Sequence, residues 1–372
     1  MSTFNDAIAL KPLPESASPA ASPASSGRLL EFDLLRGLAI VFIVLGHSVV
    51  NSGHGFPVWL ENLVRGGTGV FVFISGFFFQ RIFFKRFDYK DFMVKKTLNV
   101  FLPFLCVSLV GLVLEFFGGV LIDGDTGKTA FGALWPIVQN GYVLFPHWYI
   151  PFIMLTFLCS PLHMQYIRLP LQAQLGTLLV FSIVAIYLQR PLGNADPLQS
   201  LVYFTPFYLL GILYSQHLSW FRLYYRYLFW VALVAVVVTV WLQSQVWFHI
   251  GNYHKAAFKF GGVDLQFIQK MGLCIVLIGL CERLIFKALC DHLVMLANLS
   301  FAIFFLHPLL AMVWGNVKYS LIRHGLLVPS HTLAESLFQS TLLFLFMLYG
   351  TVLMIKLLKP RLGDKSRMLI GC

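Results

Sequence analysis

About ten stretches of this chain are apolar over the ~20 residues that a helix needs to cross a ~30 Å hydrocarbon layer. They fall at 34–52, 68–84, 98–118, 146–164, 171–188, 200–216, 227–247, 266–286, 293–314 and 336–358, the sixth being short and interrupted by Pro206. No other feature constrains the fold as strongly. Inside hydrocarbon every backbone N–H and C=O must be satisfied by the protein, so a spanning segment is an α-helix or a strand of a closed barrel. The strict alternation of barrel strands is absent. The expected fold class is therefore all-α: a polytopic integral membrane protein with about ten transmembrane helices. Composition agrees, with 58% hydrophobic and only 12% charged residues.

Around these spans the organisation is simple. Residues 1–27 are rich in Ala, Ser and Pro and lack a basic stretch ahead of an apolar core, so a disordered cytoplasmic tail is expected rather than a signal peptide. A membrane domain at 28–358 and a basic cytoplasmic tail at 359–372 follow. The net charge of +11 would suggest nucleic acid in a soluble protein. Here it reads as the positive-inside bias, with membrane lipid and not nucleic acid as the partner. With the N-terminus inside, the cytoplasmic segments hold about 18 of the 27 Lys and Arg and the outer loops about 7, which favours both termini in the cytoplasm. The six cysteines contain no CxxC pair and read as small buried hydrophobes. His249 and His254 have no further ligand nearby in sequence, so no metal site is expected.

Ionisable groups inside a bilayer are expensive and point to function. Residues 33–48, DLLRGLAIVFIVLGHS, carry Arg36 and His47 in one apolar run. Eleven helical residues return to nearly the same face after a rise of roughly 16 Å. The orientation puts Arg36 near the cytoplasmic surface and His47 in the outer half of its span. His307 in the ninth span and Glu115 in the third fall at a comparable depth, and His147 opens the fourth span from the outer side. No internal repeat is evident, which counts against an inverted-repeat transporter.

These residues carry a family resemblance. RLLEFDLLRGLAIVFIVLGHS (28–48) resembles the opening signature of the acyltransferase-3 family, an Arg and a His with ten residues between them. GVFVFISGFFF (69–79) is similar to its second, aromatic-rich signature. HWYIPFIMLTFLCSPL (147–162) resembles its Trp-centred fourth segment, and LSFAIFFLHPLL (299–310) its late helix ending in His. The resemblance covers about residues 28–358. One departure stands in FMVKKTLNVFLP, where Lys96 and Asn99 occupy places that relatives commonly fill with two arginines.

The resemblance implies an O-acyltransferase of the bacterial inner membrane. It would move an acetyl or other acyl group from cytoplasmic acetyl-CoA to a hydroxyl of a cell-surface or exported polysaccharide, or of its lipid-linked sugar precursor. His47 would be the general base, since imidazole suits proton transfer near neutral pH. Its ordinary alternative is a hydrogen bond between helices. His307 would lie in the acceptor cavity or simply bridge helices. Glu115 would hold an imidazole tautomer or bond a neighbouring helix. Arg36 would contact a donor phosphate while paired with Asp33. Arg81, Arg86, Lys95 and Lys96, with Lys85, would cradle the coenzyme A phosphates or serve topology and lipid headgroups. Ser75 and Gly76 read as close packing, and Trp148 as an interfacial anchor. The other function class is a transporter that uses the same cations as an anion pathway. The orientation itself is testable with alkaline phosphatase fusions. A fusion after Lys90 should be inactive and one after Lys255 active; the reverse pattern overturns the assignment.

Overall fold

The computed structural model describes residues 29–121 and 141–372, with the side chains of 115–121 left aside. The expected N-terminal tail, residues 1–27, lies outside the described residues. Among those described there is no strand, and the fold is the all-α membrane bundle expected. Eight helical stretches are long and apolar enough to cross a membrane, and a bent pair, Phe145–Leu158 with Ser160–Arg168, makes a ninth. The first expected span is shorter and more polar. It is helix α1 (Leu30–His47), 18 residues with Glu31, Asp33 and Arg36 near its start.

Chain order builds the bundle as follows. A short helix α2 (Val58–Val64) turns into α3 (Thr68–Phe78), which runs on as a π-turn over Phe79–Phe83. Helix α4 (Tyr89–Lys96) continues through a second π-turn, Thr97–Phe101, into α5 (Leu102–Leu121). After a 3-10 turn at Phe145–Trp148 come α6 (Tyr149–Leu158) and α7 (Ser160–Arg168). They meet at 55°, because Pro161 in the first turn of α7 has no N–H to continue the ladder. Long helices α8 (Leu171–Leu188), α9 (Pro197–Gln216), α10 (Leu218–Trp241) and α11 (Leu265–Glu282) follow. The last four are α12 (Lys287–Asn298), α13 (Ser300–Arg323), α14 (Leu333–Leu362) and α15 (Ser366–Ile370).

Three expected boundaries move. The first span stops at His47 instead of 52, because Ser48 caps it and the chain turns away. The ninth expected span, 293–314, divides at Leu299 into α12 and α13. Residues 359–372, expected as a basic tail, are helical, and α15 packs against α5, α13 and α14.

Helix α1 is the hub. It touches α3, α11, α12, α13 and α14, and Phe32, Leu35, Ala39, Ile40 and Val44 are sealed from the surface. Lipid tails are as apolar as leucine, so close backbone approach holds such helices together. Gly37 faces the Leu293 carbonyl on α12 with no room for a Cβ. Gly76 and Gly211 do the same where α3 crosses α9, against the carbonyls of Tyr208 and Phe73. The packing role expected for Gly76 is therefore what the structure contains. Burial grades outward: 78% of the best α9 window is inside the protein but only 17% of that of α8. Exposed Leu179, Val180 and Val231 on α8 and α10 form the apolar exterior that a bilayer covers.

The turn between α2 and α3 is the polar exception. Its residues 65–69, RGGTG, contain Gly66 at φ +84°, and Gly67 lies tight against the backbone of Ile43. Helix α2 leaves its last carbonyls open. Three α11 side chains close them. Gln269 Nε2 donates to Asn62 O at 3.1 Å, Gln266 Nε2 to Arg65 O at 3.0 Å, and Lys270 Nζ to Leu63 O at 2.7 Å. Helix α11 is itself capped by Asp264, which accepts from Phe267 N–H at 2.8 Å and from the Tyr203 hydroxyl at 3.0 Å.

Two predictions follow from this packing. Gly211→Leu should lower the thermal midpoint in detergent, overpacking costing about 1–3 kcal/mol, while a substitution at open Gly176 should not. Asp264 has its pKa raised to about 7, chiefly by burial. The native state then holds this proton more tightly than the unfolded chain, whose carboxyl titrates near ~4. Stability should therefore fall as pH rises from about 4 through 7. Asp264→Asn keeps an acceptor for the cap and should flatten that slope in melting curves.

Candidate active site

The C-terminal end of α1 delivers His47 into a polar pocket. Its ring lies beside that of His307, with centroids 5.6 Å apart, and beside Phe145 at 5.7 Å. His307 reaches this point from α13 and is fully buried. Its Nδ1 sits 2.8 Å from the Ile303 carbonyl. A carbonyl can only accept, so Nδ1 carries the proton and Nε2 keeps its lone pair. Among the described residues that buried Nε2 has no hydrogen-bond partner, which leaves an acceptor ready for a ligand. The two histidines expected at similar depth thus meet.

His147 does not share this role. Its Nε2–H donates to Phe305 O at 3.1 Å, and its Nδ1 faces Ser108 Oγ at 3.4 Å. Both nitrogens are used, and the ring ties the 3-10 turn to α5 and α13. Glu115 stands on α5, but its side chain lies outside the described residues.

Beside His47 opens a small cavity of about 90 Å³, lined by Arg65, Arg190, Asn194, Asn252 and His254 among others. Among the described residues no carboxylate side chain lines it. Arg190 comes from the loop between α8 and α9. Its backbone N–H donates to Tyr253 O at 3.1 Å and its carbonyl accepts from Lys255 N–H at 2.9 Å, a β-bridge joining the α8–α9 and α10–α11 loops. The guanidinium carbon lies 4.7 Å from the Trp148 ring centroid and 5.3 Å from that of Phe204. Such stacking holds a cation where few polar partners exist. Arg190 is only 3% exposed. Burial pulls its pKa down to about 10, so it remains a cation at neutral pH. Arg65 is held by buried Glu61 at 2.6 Å, and Ser52 Oγ donates to the same carboxylate at 2.7 Å. His254 donates from Nδ1 to Pro191 O at 2.7 Å. Burial first, then Arg190, push its pKa to about 4, so its imidazole is neutral.

None of Arg65, Arg190 or His254 stood out in the sequence. Arg65 and Arg190 counted only as outer-loop charges, and Trp148 as an anchor. The available signal was their rarity: few cations lie outside, and Arg190 sits between two turns without a neighbouring acid.

The other end of α1 opens into a second, cationic cavity of about 400 Å³, lined by Arg36, Lys95, Lys96, Asn99 and Arg367 among others. Arg36 lies 3.6 Å from Asp33, and Lys95 2.7 Å from Asp91. Lys96 rests over aromatic rings, 4.5 Å from the Phe157 centroid. A narrower pocket of about 110 Å³ shares Arg36, Phe83 and Lys96 with it and continues inward past Ser75, Tyr149 and Tyr208. Of the six basic residues expected around a donor, Arg36, Lys95 and Lys96 come together. Arg81, Lys85 and Arg86 are exposed and line neither cavity. Among the described residues no cluster of His, Cys, Asp and Glu has the makings of a metal site.

This geometry separates a cationic cavity from a histidine pocket along one buried helix, roughly 16 Å of rise apart. It suits a reaction whose two substrates approach from opposite ends. Comparison with known proteins agrees at the level of family. No curated protein and no solved structure matches the chain. The acyltransferase-3 family, described as an acyltransferase domain, matches it over residues 29–356, from the residue before α1 into α14. The chain belongs to that family and is a multi-pass membrane acyltransferase.

Proposed function

We propose that this enzyme transfers an acetyl group, or a related acyl group, from cytoplasmic acetyl-CoA to a sugar hydroxyl. The acceptor is a cell-surface or exported polysaccharide or its lipid-linked precursor, and the site of action is the inner membrane of a bacterium. The observation that carries the reading is the pairing of His47 and His307, 5.6 Å apart, at the far end of the helix whose start lines the cationic cavity. The charge balance of the loops supports both termini, and hence the cationic cavity, on the cytoplasmic side.

In this reading the donor's phosphates rest among Arg36, Lys95 and Lys96. The thioester extends inward on its pantetheine arm, which covers part of the distance to His47. The acceptor hydroxyl enters from the outer side. His47 takes the hydroxyl proton as the oxygen bonds to the thioester carbonyl carbon. Negative charge gathers on the carbonyl oxygen, and the buried Arg190 guanidinium stabilises it. The C–S bond then breaks, and the proton that His47 took passes to the departing coenzyme A sulfur, which restores the neutral imidazole. His307 Nε2, an acceptor, takes a hydrogen bond from a second hydroxyl of the sugar, because the attacking hydroxyl gives its one proton to His47.

Mass analysis of surface polysaccharide from cells with and without the protein tests the reaction. His47→Ala should lower acylation by about 10²–10⁴-fold at normal protein levels. Arg190→Gln should lower the transfer rate by about 10²–10³-fold. Wild-type acylation in the His47→Ala strain would falsify the assignment of the base. Labelled acetyl-CoA, purified protein and glycan separate the enzyme from a transporter, which would leave the glycan unmodified.

A further inference from the structure

We propose that Arg367, on the C-terminal helix α15, belongs to the donor site and binds a phosphate of the acyl-CoA nucleotide. The inference rests on the donor reading above and adds a part of the chain that the family match, ending at 356, does not reach. The C-terminal segment is built into the fold. Helix α14 ends near Pro360, and Gly363, at φ +52°, turns the chain back. Ser366 and Ile370 are buried, and the Ser366 hydroxyl donates to the carbonyl of Cys372. Gly371 takes a left-handed φ of +85°. A Cβ there would come within 2.8 Å of the Phe305 ring on α13. The segment is thus a wedge fitted under α13, the helix of His307.

That wedge puts Arg367 on the wall of the cationic cavity with Arg36, Lys95 and Lys96. Asp33 and Asp91 face Arg36 and Lys95. Among the described residues no ion pair engages Arg367 and no acidic side chain lines the cavity, whose wall also takes in Cys372, the last residue, with a main-chain oxygen held by the Ser366 hydroxyl. Asn99, on the same cavity, has its amide committed to the Lys95 carbonyl at 2.7 Å. Clustered like charges repel unless an anion joins them, and a planar guanidinium suits phosphate. A lipid headgroup offers phosphate too. The nucleotide is favoured because the cavity shares Arg36 and Lys96 with the pocket leading inward, where an acyl arm would lie.

The test is equilibrium binding to the full chain in nanodiscs of zwitterionic lipid. The probes are acetyl-CoA and S-acetylpantetheine, which carries the same thioester without phosphate. Arg367→Ala should weaken acetyl-CoA by about tenfold or more and leave S-acetylpantetheine unchanged. Arg367→Gln serves if the alanine variant does not fold. Equal weakening of both probes would mean a purely structural wedge and overturn the inference. So would unchanged acetyl-CoA binding in the Arg367 variant while Arg36→Ala loses it, including the case where only the binding of added short-chain phosphatidylglycerol, titrated as a third probe, falls. If the wild-type chain binds no acetyl-CoA, the donor reading fails and Arg367 fails with it.

Discussion

A bilayer offers no water to a backbone that stops being helical, and this one constraint shapes the molecule. Each break in a helix must find its hydrogen-bond partners in the protein. The clearest case is the end of α2. There Gln266, Gln269 and Lys270 of α11 supply donors to carbonyls that the turn at Gly66 and Gly67 leaves open. That turn presses against α1 at Phe42 and Ile43, just before His47, and carries Arg65 into the same pocket. Polar residues of an otherwise apolar helix therefore hold the histidine pocket in place from behind.

The same economy explains why cations survive in the interior. Arg190 lies against Trp148 and Phe204, Lys96 over Phe92 and Phe157, and Arg65 against Glu61. Aromatic faces replace acids where an ion pair would neutralise the charge and leave nothing for a ligand. Aromatic residues make up 16% of the chain, and many of them ring these two cavities. Arg190 and Lys96 thus rest on aromatic faces at the two ends of the bundle.

Much of this was readable in advance. The apolar runs led to the all-α bundle, because span length is dictated by bilayer thickness. Arg36 and His47 stood out because charge is rare in such runs, and the depth shared by His47 and His307 followed from helical rise alone. Less legible were the breaks. Nothing local marks Leu299 as the boundary between α12 and α13, and the early stop at His47 depends on Ser48 and the turn beyond it. Residues 359–372 looked like a tail because their charge is what a cytoplasmic end carries. Their packing rests on Ile370 and Gly371 meeting α5 and α13, contacts far away in sequence.

By itself the sequence determined the class of protein, where most helices fall and the placing of Arg36 and His47 along one helix, because these depend on local composition and on a fixed rise per residue. Tertiary structure alone decided which groups share a pocket. Arg65, Arg190 and His254 join His47 only once the α8–α9 and α10–α11 loops bridge at Arg190 and Tyr253. Likewise Arg367 reaches Arg36 across more than three hundred residues, and Arg81 and Arg86 are left outside. The physical reason is that a cation's role depends on what neutralises, stacks on or buries it, and those neighbours come from other helices.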